Sequence, residues 1–222
     1  MVGAVVGAGG AVRETDSTMG LLFVFDMDDV LYDYDWRVRM TGLQQLTGHD
    51  FAELRRRWWH DEGEWAAEAG RWTDGASYLA AWSAAIGTDV PVDVWLANRG
   101  SAMTPRPEAL AAVARASELG RVTLLTNNNA LVGENLATLA PELVPLFGAE
   151  HLRSSSSYGA RKPDPQVFRG VLREYDEPAE HTFFADDMPI NVEGAASVGI
   201  TSHLYRDEAH LLAAVEEFAA TT

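Results

Sequence analysis

Three carboxylates lie within four positions of the chain, directly after a run of apolar residues. Asp26, Asp28 and Asp29 follow the sequence LLFVF at 21–25, a continuous apolar run that is typical of a strand buried on both faces. Carboxylates held close together repel one another and lose solvation near a core, so such a group requires a cation or shared protons. The pattern therefore predicts a site for cation or proton chemistry where this strand ends.

Asp26 is the candidate nucleophile. The chain contains no cysteine and no grouping of Ser, His and Asp that indicates a triad, and a carboxylate can form an aspartyl-phosphate. Asp28 can lie on the same side as Asp26, where it would protonate the leaving oxygen and then deprotonate the water that cleaves the acyl phosphate. The alternative is an acidic strand end that binds only a structural cation.

A second acidic pair, Asp186 and Asp187, follows the sequence HTFF at 181–184. Adjacent acidic residues occur elsewhere in the chain, so the position at a strand end is the informative feature. Together with Asp26 and the backbone carbonyl of Asp28, this pair would offer the oxygen ligands that Mg²⁺ prefers. None of the six histidines is spaced as a zinc motif.

Lys162 is the only lysine among 17 Lys and Arg residues. A composition that otherwise uses Arg indicates that this position requires a compact ammonium instead of a planar fork. Lys162 would neutralise the acidic cluster and a phosphate together, although chance placement is the alternative. We expect the neighbouring Arg161 to be an exposed residue.

Polar side chains also follow the apolar run RVTLL at 121–125. Thr126 and Asn127 supply a hydroxyl and an amide that can hold a phosphoryl oxygen as its charge shifts. Asn128 and Asn129 are typical of a turn or a helix cap.

The elements that must position these residues alternate between strands and helices. Strands are predicted within 21–25, 121–129, 149–157, 181–189 and 200–207, of which the serine-rich 149–157 is the weakest. Helices are predicted at 107–120, 164–175 and 208–220. Alternation of this kind predicts an α/β, Rossmann-like parallel sheet with helices on both faces. The polar runs then meet at the carboxyl ends of the strands, where open parallel sheets bind ligands.

The remaining segments suggest three parts. Residues 33–104 lack a good strand, are helical in pattern and contain all seven tryptophans, so we expect an inserted helical cap. The α/β core would then comprise 19–32 and 105–222. Residues 1–18 are rich in Gly, Ala and Val and lack the G-x-G-x-x-G spacing, so we expect a disordered extension.

Composition excludes several classes of partner. The formal net charge of −16 argues against nucleic acid, since that partner requires concentrated Lys and Arg. No apolar run is long enough to span a bilayer, and the first twenty residues lack the pattern of a secretory signal. We therefore expect a cytoplasmic protein without a membrane partner, either a monomer or a homodimer.

Four motifs in order resemble those of the haloacid-dehalogenase-like hydrolase superfamily. They are FDMDDVLYD, LLTNNN, GARKPDPQVF and FADDMPINVEGAASVGI, and the resemblance covers roughly residues 20 to 220. The chain is most similar to the subclass with a helical cap after the first motif, and within it to sugar-phosphate phosphatases of the glucose-1-phosphate type. The resemblance implies Asp187 as a direct metal ligand and Asp186 as a direct or water-mediated one. Asp29 stands where the family usually has Gly, and Asp tolerates the left-handed conformation better than most residues.

These observations predict a Mg²⁺-dependent phosphatase that hydrolyses a small phosphorylated metabolite, such as a sugar phosphate, through Asp26. A phosphomutase resembling β-phosphoglucomutase would use the same core. A dehalogenase is disfavoured because that branch lacks the second aspartate of the first motif, which is retained here as Asp28. A catalytically silent protein that binds a phosphometabolite is the remaining alternative.

The tryptophan-rich segment 58–72 is the candidate specificity region. Most tryptophans are expected to fill the core of a small helical bundle. Aromatic faces with nearby polar groups also suit a sugar. We therefore predict that one of Trp65 or Trp72, with Glu68 or Arg71, lines the pocket.

Overall fold

The computed structural model of the protein describes residues 20–222. The prediction of a disordered extension at 1–18 lies outside the described residues. Among the residues that are described, no helix has the length and apolar composition needed to cross a membrane.

Within residues 20–222, seven strands form two sheets. The strands are β1 (Leu22–Phe25), β2 (Tyr32–Tyr34), β3 (Met103–Pro105), β4 (Arg121–Thr126), β5 (Leu152–Ser154), β6 (Thr182–Asp186) and β7 (Thr201–Leu204). Five of them make a parallel sheet in the order β5-β4-β1-β6-β7. The predicted α/β fold with a parallel sheet is therefore confirmed, including the weakly predicted strand β5.

Helices cover both faces of this sheet. They are α6 (Pro107–Leu119), α7 (Ala130–Glu134), α8 (Leu136–Leu139), α9 (Val144–Phe147), α10 (Pro165–Tyr175), α11 (Pro189–Ala196) and α12 (Glu208–Thr221). Strand β1 is buried on both faces because Phe23 and Phe25 pack in one apolar cluster, whereas Leu22 and Val24 pack in the other. The three helices predicted at 107–120, 164–175 and 208–220 are confirmed as α6, α10 and α12.

A helical insert, residues 36–100, leaves the core after β1. It contains α1 (Trp36–Thr47), α2 (Phe51–Arg57), α3 (Glu64–Glu68), α4 (Gly75–Ile86) and α5 (Val92–Gly100). The chain enters and leaves it through β2 and β3, which pair antiparallel. The statement that 33–104 lacks a good strand was therefore wrong at its two ends. These strands have three residues each and do not form a buried apolar run, so their hydrophobic pattern is too short to detect.

The tryptophans of the insert divide into two groups. Trp58, Trp82 and Trp95 are buried, and Tyr78 packs edge-on against both Trp58 and Trp95. Trp65, in contrast, keeps 45% of its surface exposed. Core packing thus explains the buried group, whereas Trp65 is available for other contacts.

Candidate active site

The sheet brings three acidic side chains together. Asp26 directly follows the central strand β1, and Asp186 ends the neighbouring strand β6. The two residues lie level because the backbone N–H of Asp26 donates to the carbonyl of Ala185 at 3.0 Å. Carboxylate oxygens of Asp26, Asp186 and Asp187 lie within 4.8 Å of one another. The predicted convergence of Asp26 with the second acidic pair is therefore present.

Lys162 lies between two of these carboxylates. Its Nζ is 2.7 Å from Oδ1 of Asp26 and 2.6 Å from Oδ2 of Asp186, and the residue is 1% exposed. Burial by itself would lower the pKa of Lys162, but Asp26 and Asp186 raise it above its usual value. Burial also raises the pKa of Asp26, and the Lys162 ammonium opposes that shift. The site thus holds a permanent ammonium beside the candidate nucleophile.

Asn127 fixes the segment that carries this lysine. Its Nδ2 donates to the carbonyl of Lys162 at 2.9 Å, and its Oδ1 accepts from the Lys162 N–H at 2.9 Å. Both polar atoms of the side chain are therefore used to position Lys162. That the Asn127 amide holds a phosphoryl oxygen stays a prediction, and the second N–H of Nδ2 would be the donor.

Asp186 and Asp187 differ in how strongly they are constrained. Asp186 is fully buried, and it accepts hydrogen bonds from the N–H of Met188 at 2.8 Å and from Nδ2 of Asn191 at 2.9 Å. Asp187 is half-buried, and burial, together with the charges of Asp186 and Asp29, raises its pKa to about 6. Asp187 is therefore the freer carboxylate of the pair.

Asp28 is held by a residue that the sequence analysis did not identify. Nη2 of Arg99 donates to both Oδ1 and Oδ2 of Asp28 at 2.7 Å. Arg99 belongs to α5 of the insert, is 2% exposed and lies 4.1 Å over the ring of Tyr34. No motif surrounds this arginine, and the start and the end of the insert are brought together by tertiary contacts that include the β2–β3 pairing and the hydrogen bond from the Asp35 N–H to the carbonyl of Ala102. The insert therefore supplies the partner of the predicted acid and base.

The asparagines that follow β4 have separate roles. Asn129 begins α7 as its N-cap, with its Oδ1 accepting from the N–H of Val132 at 3.1 Å, as predicted. Asn128 lies in the site, where its Nδ2 is 2.8 Å from Oγ1 of Thr126 and 3.5 Å from Oδ2 of Asp28. Asn128 thus links the predicted phosphate-binding hydroxyl to the predicted proton donor, a role that the sequence analysis missed.

Asp29, at the position where the haloacid-dehalogenase-like pattern usually has Gly, keeps the turn that follows β1. Asp29 has φ 61°, the left-handed conformation. Its side chain accepts from the N–H of Tyr34 at 3.2 Å, and its carbonyl accepts from Nη1 of Arg106 at 2.9 Å. The expected tolerance of aspartate in this turn is confirmed.

A cavity of about 410 Å³ opens onto these groups. Its acidic, basic and polar lining residues are Asp26, Asp28, Asp29, Thr126, Asn127, Arg161, Lys162, Asp187 and Asn191, and its apolar ones are Pro163, Met188 and Ile190. All predicted core residues except the fully buried Asp186 therefore line one cavity. Its size suits a small metabolite.

The four candidate specificity residues lie in two places. Glu68 accepts from Nε of Arg161 at 2.6 Å, and the Arg161 guanidinium lies 5.8 Å from the ring centre of Trp65. Trp72 packs 5.2 Å from Trp58, next to the exposed Arg71. None of these four residues is among those that line the cavity in the described part of the chain. Glu68 and Trp65 instead contact the lining residue Arg161, which is a partly buried ion-pair partner and not the exposed neighbour that we expected.

Comparison with known proteins agrees with this geometry. The family model for haloacid dehalogenase-like hydrolases matches residues 21–199. The Mycobacterium tuberculosis (strain CDC 1551 / Oshkosh) protein named Phosphatase MT3486 is 27% identical over 191 residues, which cover 82% of this chain and 85% of that protein.

Solved structures share the fold. A haloacid dehalogenase-family enzyme from Bacteroides thetaiotaomicron, in complex with magnesium and inorganic phosphate, has a TM-score of 0.71 and 21% identity and covers 86% of this chain and 98% of its own. A 2-haloacid dehalogenase from Pseudomonas syringae has a TM-score of 0.62 and 18% identity over 91% and 99% of the two chains. The family match covers most of the chain, so this protein belongs to the haloacid dehalogenase-like hydrolase family.

Proposed function

We propose that this hydrolase is a Mg²⁺-dependent phosphatase that acts on a small phosphorylated metabolite through an aspartyl-phosphate on Asp26. The observation that carries the proposal is the position of Lys162, whose ammonium contacts both Asp26 and Asp186 at the floor of the cavity. A phosphate placed there would meet a nucleophile and a fixed positive charge together. Thr126, at the end of β4, supplies a hydroxyl on the same wall.

The reaction has two balanced steps. An oxygen of Asp26 attacks phosphorus, the bond to the leaving oxygen breaks, and Asp28 donates a proton to that oxygen. Asp28 then removes a proton from water as the water attacks phosphorus, which releases inorganic phosphate and restores the Asp26 carboxylate. The two Arg99 hydrogen bonds hold the Asp28 carboxylate in one orientation.

The residues present fit a magnesium ion. Asp26, Asp186 and Asp187 each offer a carboxylate oxygen in one small cluster, and oxygen donors are the preferred ligands of Mg²⁺. We propose that these residues and the backbone carbonyl of Asp28 hold the ion. When bound, the ion would supply positive charge against the phosphate oxygens.

The helical insert is proposed to act as a cap over this site. Side-chain contacts that join it to the core near the cavity include Arg99 with Asp28, Glu68 with Arg161, and Glu64 with Asn129. A cap held in this way would restrict water at the cavity and face the non-phosphate part of the substrate. We propose domain limits of 19–32 and 105–222 for the core and 33–104 for the cap.

Hydrolysis assays test this function directly. Purified protein is assayed with a nitrophenyl phosphate, a panel of phosphorylated metabolites and 2-haloacids, each with Mg²⁺ and with chelator. We expect phosphate release that requires Mg²⁺, and no halide release. Halide release would favour the dehalogenase alternative, conversion of a sugar phosphate to its isomer would favour the phosphomutase, and the absence of turnover would favour a silent binding protein.

The metal ligands are tested with Asp187→Ala. Because few protein ligands hold the ion, we expect the Mg²⁺ concentration for half-maximal activity to rise about tenfold or more. Glu193→Ala, on the exposed side of the following helix α11, is the control. An unchanged Mg²⁺ titration in the Asp187 variant would contradict the assignment.

A further inference from the structure

Arg161 occupies the rim of the catalytic cavity, directly beside Lys162. Its Nε donates to Oε2 of Glu68 at 2.6 Å, and its guanidinium lies 5.8 Å from the ring centre of Trp65. Glu68 and Trp65 both belong to α3 of the insert. The insert therefore holds the guanidinium plane at the cavity mouth by a hydrogen bond and an aromatic face.

The terminal amino groups of Arg161 are not used by this arrangement. Within residues 20–222, Nε is the only Arg161 side-chain nitrogen with a hydrogen-bond partner. The side chain keeps 33% of its surface exposed. Nη1 and Nη2 thus form a donor fork at the cavity rim, and such a fork matches the two oxygens of a carboxylate or phosphate.

The charge of Arg161 is also less compensated than that of the other cation in the cavity lining. Lys162 pairs with Asp26 and Asp186, whereas within residues 20–222 Glu68 is the only carboxylate that pairs with Arg161. Burial raises the pKa of Glu68 to about 8, against the opposing effect of Arg161. Glu68 is therefore a weaker counter-charge for Arg161 than a carboxylate of ordinary pKa would be.

We infer that Arg161 is a specificity-determining residue that binds a second anionic group of the substrate, a carboxylate or a second phosphate, while the first phosphate lies at Lys162. The inference rests on the proposed phosphatase function and names its substrate class: small phosphate monoesters with a second anion on the leaving group. Arg161 lines the same cavity of about 410 Å³ as Asp26, so a metabolite of a few carbon atoms spans the two sites.

Matched substrates test this inference. The values of kcat/KM are measured for phosphoglycerate, which carries a carboxylate, for glycerol phosphate, which carries a hydroxymethyl group instead, and for propanediol bisphosphate. We expect the wild-type protein to prefer at least one of the two substrates that carry a second anionic group over glycerol phosphate. In Arg161→Gln this preference should fall about tenfold or more, mainly through KM. The substrate that loses most identifies the second anion as carboxylate or phosphate.

Two further variants keep the test decisive. Arg161→Lys retains the charge without the fork and should keep part of the preference. Arg153→Gln removes another partly exposed arginine that pairs with a glutamate, Glu174, outside the cavity, and should leave the preference at its wild-type value. Thermal unfolding of each variant confirms that it is folded.

Parallel loss of activity on all three substrates in Arg161→Gln, or an unchanged preference, would overturn the inference. Equal kcat/KM of the wild-type protein on glycerol phosphate and on the two substrates that carry a second anionic group would also overturn it while leaving the phosphatase function intact. Absence of hydrolysis of every phosphate ester would instead contradict the proposed function itself.

Discussion

Two buried cations contact the carboxylates that follow β1, and they come from different regions of the molecule. Lys162 belongs to the α/β core and is shared between Asp26 and Asp186. Arg99 belongs to the helical insert. Among residues 20–222, Asp28 is the only carboxylate that pairs with it, and its Nη1 is buried without a hydrogen-bond partner.

The different origins of Lys162 and Arg99 separate the two parts of the proposed reaction, which are nucleophilic attack by Asp26 and proton transfer by Asp28. The core holds Lys162 with two carboxylates and with both polar atoms of Asn127, so the nucleophile and its counter-charge are positioned without the insert. Asp28 depends on the insert, because its strongest partner is 71 residues away along the chain. In the proposed mechanism, attack on phosphorus would therefore depend on the core, whereas proton transfer to the leaving group would depend on the position of the insert.

Replacing the cation of the core should have the largest effect. Lys162→Arg keeps the charge, but a planar fork cannot occupy the position of an ammonium between two carboxylates. We expect kcat/KM on a nitrophenyl phosphate to fall about a thousandfold, or about 4 kcal/mol. Wild-type kinetics in a folded Lys162→Arg variant would show that this lysine is incidental and that the two cations do not differ as described.

Replacing the cation of the insert should have a smaller and more selective effect. Arg99→Met frees the Asp28 carboxylate, so we expect an alkyl phosphate, whose leaving group needs a proton, to lose about a hundredfold in kcat. A nitrophenyl phosphate, whose leaving group needs little protonation, should lose less.

The chain offers a matched control for this variant. Arg39 is a second buried arginine of the insert, lies 4.3 Å over the ring of Trp95 and also has a buried, unpartnered Nη1 within the described part of the chain. Arg39→Met should leave the ratio of alkyl to aryl activity unchanged. Equal ratios in the Arg99 and Arg39 variants would mean that Arg99 only stabilises the insert.

The contact between Glu64 and the core tests how firmly the insert is fixed. Glu64 is buried and accepts from Nε1 of Trp58, from the hydroxyl of Tyr78 at 2.7 Å and from Nδ2 of Asn129 at 2.7 Å. Glu64→Ala leaves these buried donors unpaired, so we expect the free energy of unfolding to fall by about 2 kcal/mol. Urea denaturation measures it, with Glu64→Gln as the conservative control. A loss within experimental error would show that this network does not hold the insert to the core.

The smallest expected effect is on the pH dependence of the free energy of unfolding. Glu68 has a folded-state pKa of about 8, well above its value in an unfolded chain, so the folded protein binds a proton that the unfolded chain has already lost. Stability from this group is complete at low pH and decreases as pH rises toward 8. Between about pH 6 and about pH 7 we expect the wild-type free energy of unfolding to drop by about 1 kcal/mol more than that of Glu68→Gln. An equal dependence of the free energy of unfolding on pH in the two proteins would show that burial does not raise the pKa of the Glu68 carboxyl.

The site residues of the α/β core were predictable because local sequence patterns identify them. The apolar run of β1 defines a buried strand, and the same pattern before Thr126 and Asp186 defines two others. Carboxyl ends of parallel strands share one edge, so residues at those ends meet without any knowledge of packing. The only lysine of the chain was likewise visible from composition.

The contribution of the insert to the site was not predictable, because tertiary packing determines which of its side chains contact the core. Arg99 lies on a helix without a motif, and it reaches Asp28 through tertiary packing that includes the β2–β3 pairing at the two ends of the insert. The type of a residue also does not determine which hydrogen-bond partners its side chain has. The Asn127 amide, predicted to hold phosphate, is hydrogen-bonded to the backbone of Lys162, and Asn128, predicted as a turn or helix-cap residue, donates to Thr126.

The central claim is that Asp26 of the core attacks phosphorus, and detection of the acyl phosphate tests it most directly. The Asp28→Asn variant, which cannot deprotonate water efficiently, is mixed with a nitrophenyl phosphate and Mg²⁺, quenched in acid, digested and analysed by mass spectrometry. The account predicts one phosphoryl group on the peptide that contains Asp26, and none when Asp26→Asn is added. A phosphoryl group on another residue, or release of nitrophenol without any phosphorylated peptide, would contradict it.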